Sequence, residues 1–195
     1  MALELQNAVI RMVQELLSAE LARTPDWLMR PGKSECGTEW PRICEIYGEL
    51  TTLSLPDVMR PIERRTVDAV LIQSGRAPRI LEIDEKQHFN EFRAMTFNHY
   101  GNVKVAFDIQ SWKAASKAKV KLEGGGFARP MPPLFPEVNG RHKQRAFRDA
   151  LCDILPCLHG FEPTVRIADF EVKGWLTQSG AKDRMAHLLA NRGIY

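Results

Sequence analysis

Cysteine is scarce: Cys36, Cys44, Cys152 and Cys157 are the four in 195 residues. They are too few and too irregularly spaced for a disulfide framework, and none forms the C-x-x-C pair that zinc sites favour, so reduced and mostly buried thiols are expected. Long apolar runs are missing too. Every stretch is broken by charge well short of the ~20 residues of a membrane span. The opening MALELQNAVIRMVQELLSAEL carries glutamates where a signal peptide needs an unbroken apolar region, and a cytoplasmic protein is expected. Net charge is also small, 27 Lys+Arg against 24 Asp+Glu for +3, which by itself favours no partner. There is no internal repeat. What is present, 44% hydrophobic residues, argues against a disordered chain and suits one α/β domain over residues 1–195.

Leu5, Val9, Met12, Val13, Leu16, Leu17 and Leu21 recur at helical spacing and predict an amphipathic helix from Leu3 to Leu21. Residues 25–41, rich in Pro and Gly, predict an irregular connection. A helix should follow from Pro41 to about Leu50, so that residues 1–60 form an N-terminal helical segment. TVDAVLI (66–72) and RILEIDEKQHF (79–89), joined by QSGRAP, predict a β-hairpin. Beyond it the pattern predicts a helix at 90–100, a strand at 103–109, a basic helix at 141–155, a strand at 164–172 and a helix at 181–192. The stretch at about 110–140, with three consecutive glycines and several prolines, predicts a long basic loop or insertion.

The hairpin holds the chemistry. Side chains alternate across a strand, so Glu82, Asp84, Lys86 and His88 should share one face with Ile80, while Leu81, Ile83 and Glu85 take the other. Asp68 stands inside the apolar run VDAVLI, where a charge is costly unless it is paired or bound to metal. Three carboxylates on adjacent strands offer the oxygen ligands Mg²⁺ prefers, and the lysine and histidine supply groups that can orient water or offset phosphoryl charge. A solvated edge strand of mixed charge is the plainer account.

TVDAVLI…RILEIDEKQHF resembles the catalytic hairpin of the PD-(D/E)xK nuclease superfamily, and E-I-D-E-K-Q-H is similar to its very-short-patch-repair-like branch. The resemblance covers about 25 residues. It implies a restriction-endonuclease-like mixed central sheet flanked by helices, a bacterial or phage-like context, and a Mg²⁺-dependent endonuclease in which Mn²⁺ can substitute. By position, Asp68, Asp84 and Lys86 match the superfamily set, and Glu82 with His88 match the repair-like branch. Asp68, Glu82 and Asp84 are then the expected metal ligands, with Lys86 or His88 acting on water. Val67 stands where the superfamily has Pro, and Glu85 where the branch commonly has Gly. Many members add a carboxylate from a preceding helix, for which Glu45 and Glu49 are candidates; exposed helix charge is the alternative for both.

Residues 101–150 hold ten Lys/Arg against four acids, an excess of six that leaves the rest of the chain at −3. Lys113, Lys117, Lys119 and Lys121 are candidate contacts to a phosphate backbone, with Trp112 beside them, and so are Arg141, Arg145 and Arg148, which share one face of the basic helix at i, i+4 and i+7. The expected partner is DNA, double-stranded. A duplex cut needs two sites or two visits, which makes a homodimer plausible. Two further readings stay open: a catalytically inactive DNA-binding protein of the same fold, and a protein-interaction module with a charged edge strand.

Overall fold

The computed structural model describes residues 2–118, 122 and 124–194. Among them, α1 (Ala2–Leu17) leads into a four-stranded sheet of β1 (Glu20–Ala22), β2 (Ala69–Ile72), β3 (Arg79–Asp84) and β4 (Glu162–Ala168), in that spatial order. The first three strands run antiparallel to their neighbours, and β4 lies parallel to β3. A parallel neighbour requires a crossover. Here it carries α5 (Glu91–Thr96), α6 (Ile109–Ala118) and α7 (Gly140–Ile154). Between β1 and β2 lie α2 (Asp26–Met29), α3 (Lys33–Cys36) and α4 (Trp40–Thr51); α8 (Asp169–Val172) and α9 (Ala181–Ala190) follow β4. The protein is thus α/β, an open mixed sheet flanked by helices. No helix among the described residues is long and apolar enough to cross a membrane.

The strand alternation sorts the core into two layers. Ala69, Leu71, Leu81, Ile83, Val165 and Ile167 point to one face and bury Val9, Val13 and Leu17 of α1 with Met185 and Leu189 of α9. Val70 and Ile80 point to the other, against Ile43, Ile46, Tyr47 and Leu50 of α4 and Phe147, Leu151 and Ile154 of α7. That second face also carries Glu82, Asp84 and, opposite Glu82 in the parallel register, Arg166. α7 is pressed close: a Cβ on Gly140 would lie 2.2 Å from the Phe135 carbonyl oxygen, so only glycine admits this approach at the helix start.

Several elements differ from the sequence pattern. The first helix stops at Leu17, Ser18 adopts a left-handed φ of 48°, and Leu21 lies in the exposed edge strand β1. Three solvated residues leave no alternation to detect. Residues 103–109 form no strand; Ala106 makes a single bridge to Val165. Part of the expected basic loop is helical, since α6 runs through Lys113 and Lys117 and its Trp112 is buried in the core rather than exposed beside a groove. β4 ends at Ala168, and the rest of its expected length is the helical turn α8.

Candidate active site

Asp68 immediately precedes β2. The antiparallel register sets Ala69 opposite Leu81, and Asp68 reaches the next step of the partner strand: its Oδ2 accepts the Ile83 N–H at 2.8 Å. Its Oδ1 accepts from the Gln6 amide of α1 at 2.7 Å. Burial raises the Asp68 pKa, against the pull of the Ile83 N–H and His88. Glu82, 6% exposed, has Arg65 Nη2 3.6 Å from its Oε1, and the Cys152 thiol donates to the same oxygen at 3.4 Å. Burial first, and then the charge of Asp68, push the Glu82 carboxyl up to about 8.

Both carboxylates line a cleft of about 300 Å³ together with Arg64, Arg65, Thr66 and His88, and with Arg141, Arg145, Arg148 and Asp149 of α7. The i, i+4, i+7 spacing of the three α7 arginines turns them to this side while Phe147 and Leu151 enter the core. His88 arrives by another route than the strand: β3 ends at Asp84, and a 3₁₀ turn over Lys86–His88 brings the ring back over it. Its Nδ1 lies 3.0 Å from Asp149 Oδ2 and 3.4 Å from Asp84 Oδ1. Burial alone would lower the His88 pKa, but Asp149 and Asp84 hold it above the ordinary value. Asp149 in turn, which burial would raise, is held well below the usual carboxylate range by His88 and Arg166.

Asp84 does not face the cleft. It is fully buried, with Arg166 Nη1 donating to Oδ1 and Trp112 Nε1 to Oδ2, each at 2.6 Å. Arg166 continues to Asp153 Oδ1 at 2.7 Å and to the Asp149 carbonyl at 3.1 Å. Arg93, placed by the Asn90 cap of α5, donates to Asp153 Oδ2 at 2.6 Å and to the Tyr100 hydroxyl at 2.7 Å. Lys86 is exposed on the 3₁₀ turn and is not part of the cleft lining. Glu45 and Glu49 both pair with His99 at the surface of α4 and also lie outside it. Lys113 bonds Asn98 at 2.8 Å and Lys117 is exposed on α6, again outside the lining, while Lys119 and Lys121 fall outside the described residues.

The residues that complete the cleft and its support, Arg64, Arg65, Asp149, Asp153, Arg93 and Arg166, were not singled out from the sequence. One of them had a signal. Arg166 interrupts TVRIADF just as Asp68 interrupts VDAVLI, and each charge needs a partner.

Two sets of side chains bear on a metal ion. Asp84, His88 and Asp149 offer donor atoms within 4.8 Å of one another. Arg166 already donates to Asp84 and approaches Asp149, so a dication there would oppose a guanidinium bonded to one of its own ligands. Asp68 and Glu82 fit better. Both are hard oxygen donors, both line the cleft, and both carry raised pKa values that a cation would reverse. Two carboxylates suffice for Mg²⁺, which keeps waters and takes substrate phosphate oxygens for its remaining ligands.

A larger cavity of about 500 Å³ lies between residues 105–108, α6, α8 and α9, walled by Phe107, Trp112 and Phe170. Its charged groups are already engaged, Arg192 with Glu171 and Asp108 with Ser111 and the Gln110 N–H. The smaller cleft therefore holds the reactive groups. Comparison with protein-family models, curated proteins and solved structures gave no match.

Proposed function

We propose that the protein is a Mg²⁺-dependent endonuclease that hydrolyses phosphodiester bonds of DNA, and we read its mixed sheet as restriction-endonuclease-like. The observation that carries this reading is the cleft, where Glu82 of β3, Asp68 at the start of β2 and the His88–Asp149 pair face five arginines. Asp68 and Glu82 would hold the ion, with Asp68 oriented by Gln6 and the Ile83 N–H. Bound Mg²⁺ supplies Lewis acidity toward a phosphoryl oxygen and toward water. Asp149 keeps a proton on His88 Nδ1, which leaves Nε2 as the ring atom through which a proton passes to or from the substrate. Arg141, Arg145 and Arg148 set positive charge against the backbone phosphates, which the carboxylates alone would repel.

The purified chain should cut duplex DNA in Mg²⁺ or Mn²⁺ and stop in chelator. Asp68→Asn should remove cleavage and keep DNA binding; full cleavage by that variant overturns the assignment. A second reading, a DNA-binding protein of the same fold without catalysis, draws on the commitment of Asp84 to Arg166 and Trp112. It requires binding that ignores both Mg²⁺ and Asp68→Asn, with no cleavage in any metal.

A further inference from the structure

Arg65 is 7% exposed and lines the cleft. Its Nη1 donates to the Arg148 carbonyl and its Nη2 approaches Glu82, but its Nε is buried with no hydrogen-bond partner. Arg145, which enters the same cleft from α7, has its Nη1 buried without a partner as well. A buried N–H left without an acceptor is costly, and Arg65 and Arg145, unlike Arg93 whose Nε is also unpartnered, line an open cleft where an oxygen from outside the chain can approach. The charge count agrees. Asp149 is already matched by His88 and Arg166, and Arg148 by Glu63 at 3.6 Å, which leaves Arg64, Arg65, Arg141 and Arg145 over Asp68 and Glu82. A bridging phosphodiester brings one charge and two free oxygens, whereas a terminal phosphate brings nearly two charges and three oxygens.

We propose that Arg65 and Arg145, with Arg64, Arg141 and Arg148 around them, form a subsite for a phosphate monoester dianion, namely the phosphorylated terminus of a nucleic-acid strand. The strand's identity rests on the nuclease reading; the anion does not. The protein then engages its substrate at a phosphorylated end or nick.

The test is fluorescence anisotropy in EDTA with one oligonucleotide sequence in three forms, carrying a 5′-phosphate, a 3′-phosphate or hydroxyls at both ends. Mononucleotide and inorganic phosphate serve as competitors. One phosphorylated form should bind about tenfold more tightly than the hydroxyl form, and inorganic phosphate should compete. Arg65→Gln and Arg145→Gln should each erase the preference; Arg145, only partly buried, decides the matter if Arg65→Gln fails to fold. Equal binding of all three forms overturns the proposal. So does competition by mononucleotide without any preference among the oligonucleotides, which would assign the dianion to a free nucleotide. Since binding is read without metal, a chain that prefers phosphorylated ends yet cuts nothing keeps this subsite and loses the nuclease reading. A chain that cuts DNA with no end preference does the reverse.

Discussion

Glu82 and Asp84 stand two residues apart on one face of β3, yet they belong to opposite kinds of site. Asp84 joins a buried network in which three carboxylates, with Asp149 and Asp153, meet Arg93, Arg166 and His88, whose pKa Asp149 and Asp84 raise. Trp112 and Tyr100 fill remaining acceptor positions. Glu82 faces a cleft lined by five arginines against three acids. Burial is similar for the two residues, and only the balance of partners differs. A buried charge whose partners are all internal holds the fold together, and one whose partners are incomplete leaves room for a ligand.

The largest effect should come from breaking the balanced side. Arg166→Met removes the cation shared by Asp84 and Asp153 and leaves two carboxylates buried without it. The expected loss is about 3–5 kcal/mol in denaturant unfolding, a large share of the roughly 5–15 kcal/mol of an ordinary domain. Arg145→Gln in the cleft should cost far less, since it removes one member of a cationic surplus. If the two variants unfold alike, the contrast between balanced and unbalanced sites is wrong.

An intermediate effect distinguishes the carboxylates by pH. Burial and Asp68 push Glu82 up to about 8 in the fold against an ordinary value of 4.5. Between those values the folded state holds a proton that the unfolded chain has released, so this group makes stability fall as pH rises, by up to ~1.4 kcal/mol per pH unit. Glu82→Gln should flatten that slope and raise stability near pH 8, by about 1–3 kcal/mol once relaxation is allowed for. Mg²⁺ should flatten it in the natural chain and do nothing further in the variant. Thermal melts from pH 5 to 8 with and without Mg²⁺ read both effects, and an unchanged slope in Glu82→Gln would place its proton elsewhere.

The same contrast explains what could be read from the sequence. The hairpin and the split of Ile80, Glu82 and Asp84 from Leu81 and Ile83 follow from strand alternation alone, and the shared face of Arg141, Arg145 and Arg148 from helical spacing. Which carboxylate faces the cleft did not, because Glu82 and Asp84 have the same parity. Arg166 and Asp153, more than 60 residues downstream of Asp84, decide between them through the parallel pairing of β4 and the packing of α7. Period-based reading carries no information on such long-range partners. Alternation also predicts the strand face for Lys86, but the strand ends at Asp84 and parity loses its meaning in the 3₁₀ turn that follows.

That turn supplies the smallest effect and the sharpest distinction between position in a motif and position in space. By its place in the triplet Asp84-Glu85-Lys86, Lys86 is one of two candidates, with His88, to act on the attacking water, and in that role its loss should abolish cleavage. By its place in the fold it is exposed and outside the cleft lining, while Arg65 stands 3.6 Å from Glu82 and His88 lines the cleft. Lys86→Ala should therefore leave cleavage within about twofold of the natural chain and stability within about 0.5 kcal/mol, as for most surface substitutions. His88→Ala, in the same turn, should remove most activity because it deletes the only imidazole among the described residues of the lining. Single-turnover cleavage assays of the two variants side by side make the comparison. Loss of activity in Lys86→Ala with retention in His88→Ala would show that the turn rearranges on substrate binding and that the cleft's cation comes from the motif lysine after all.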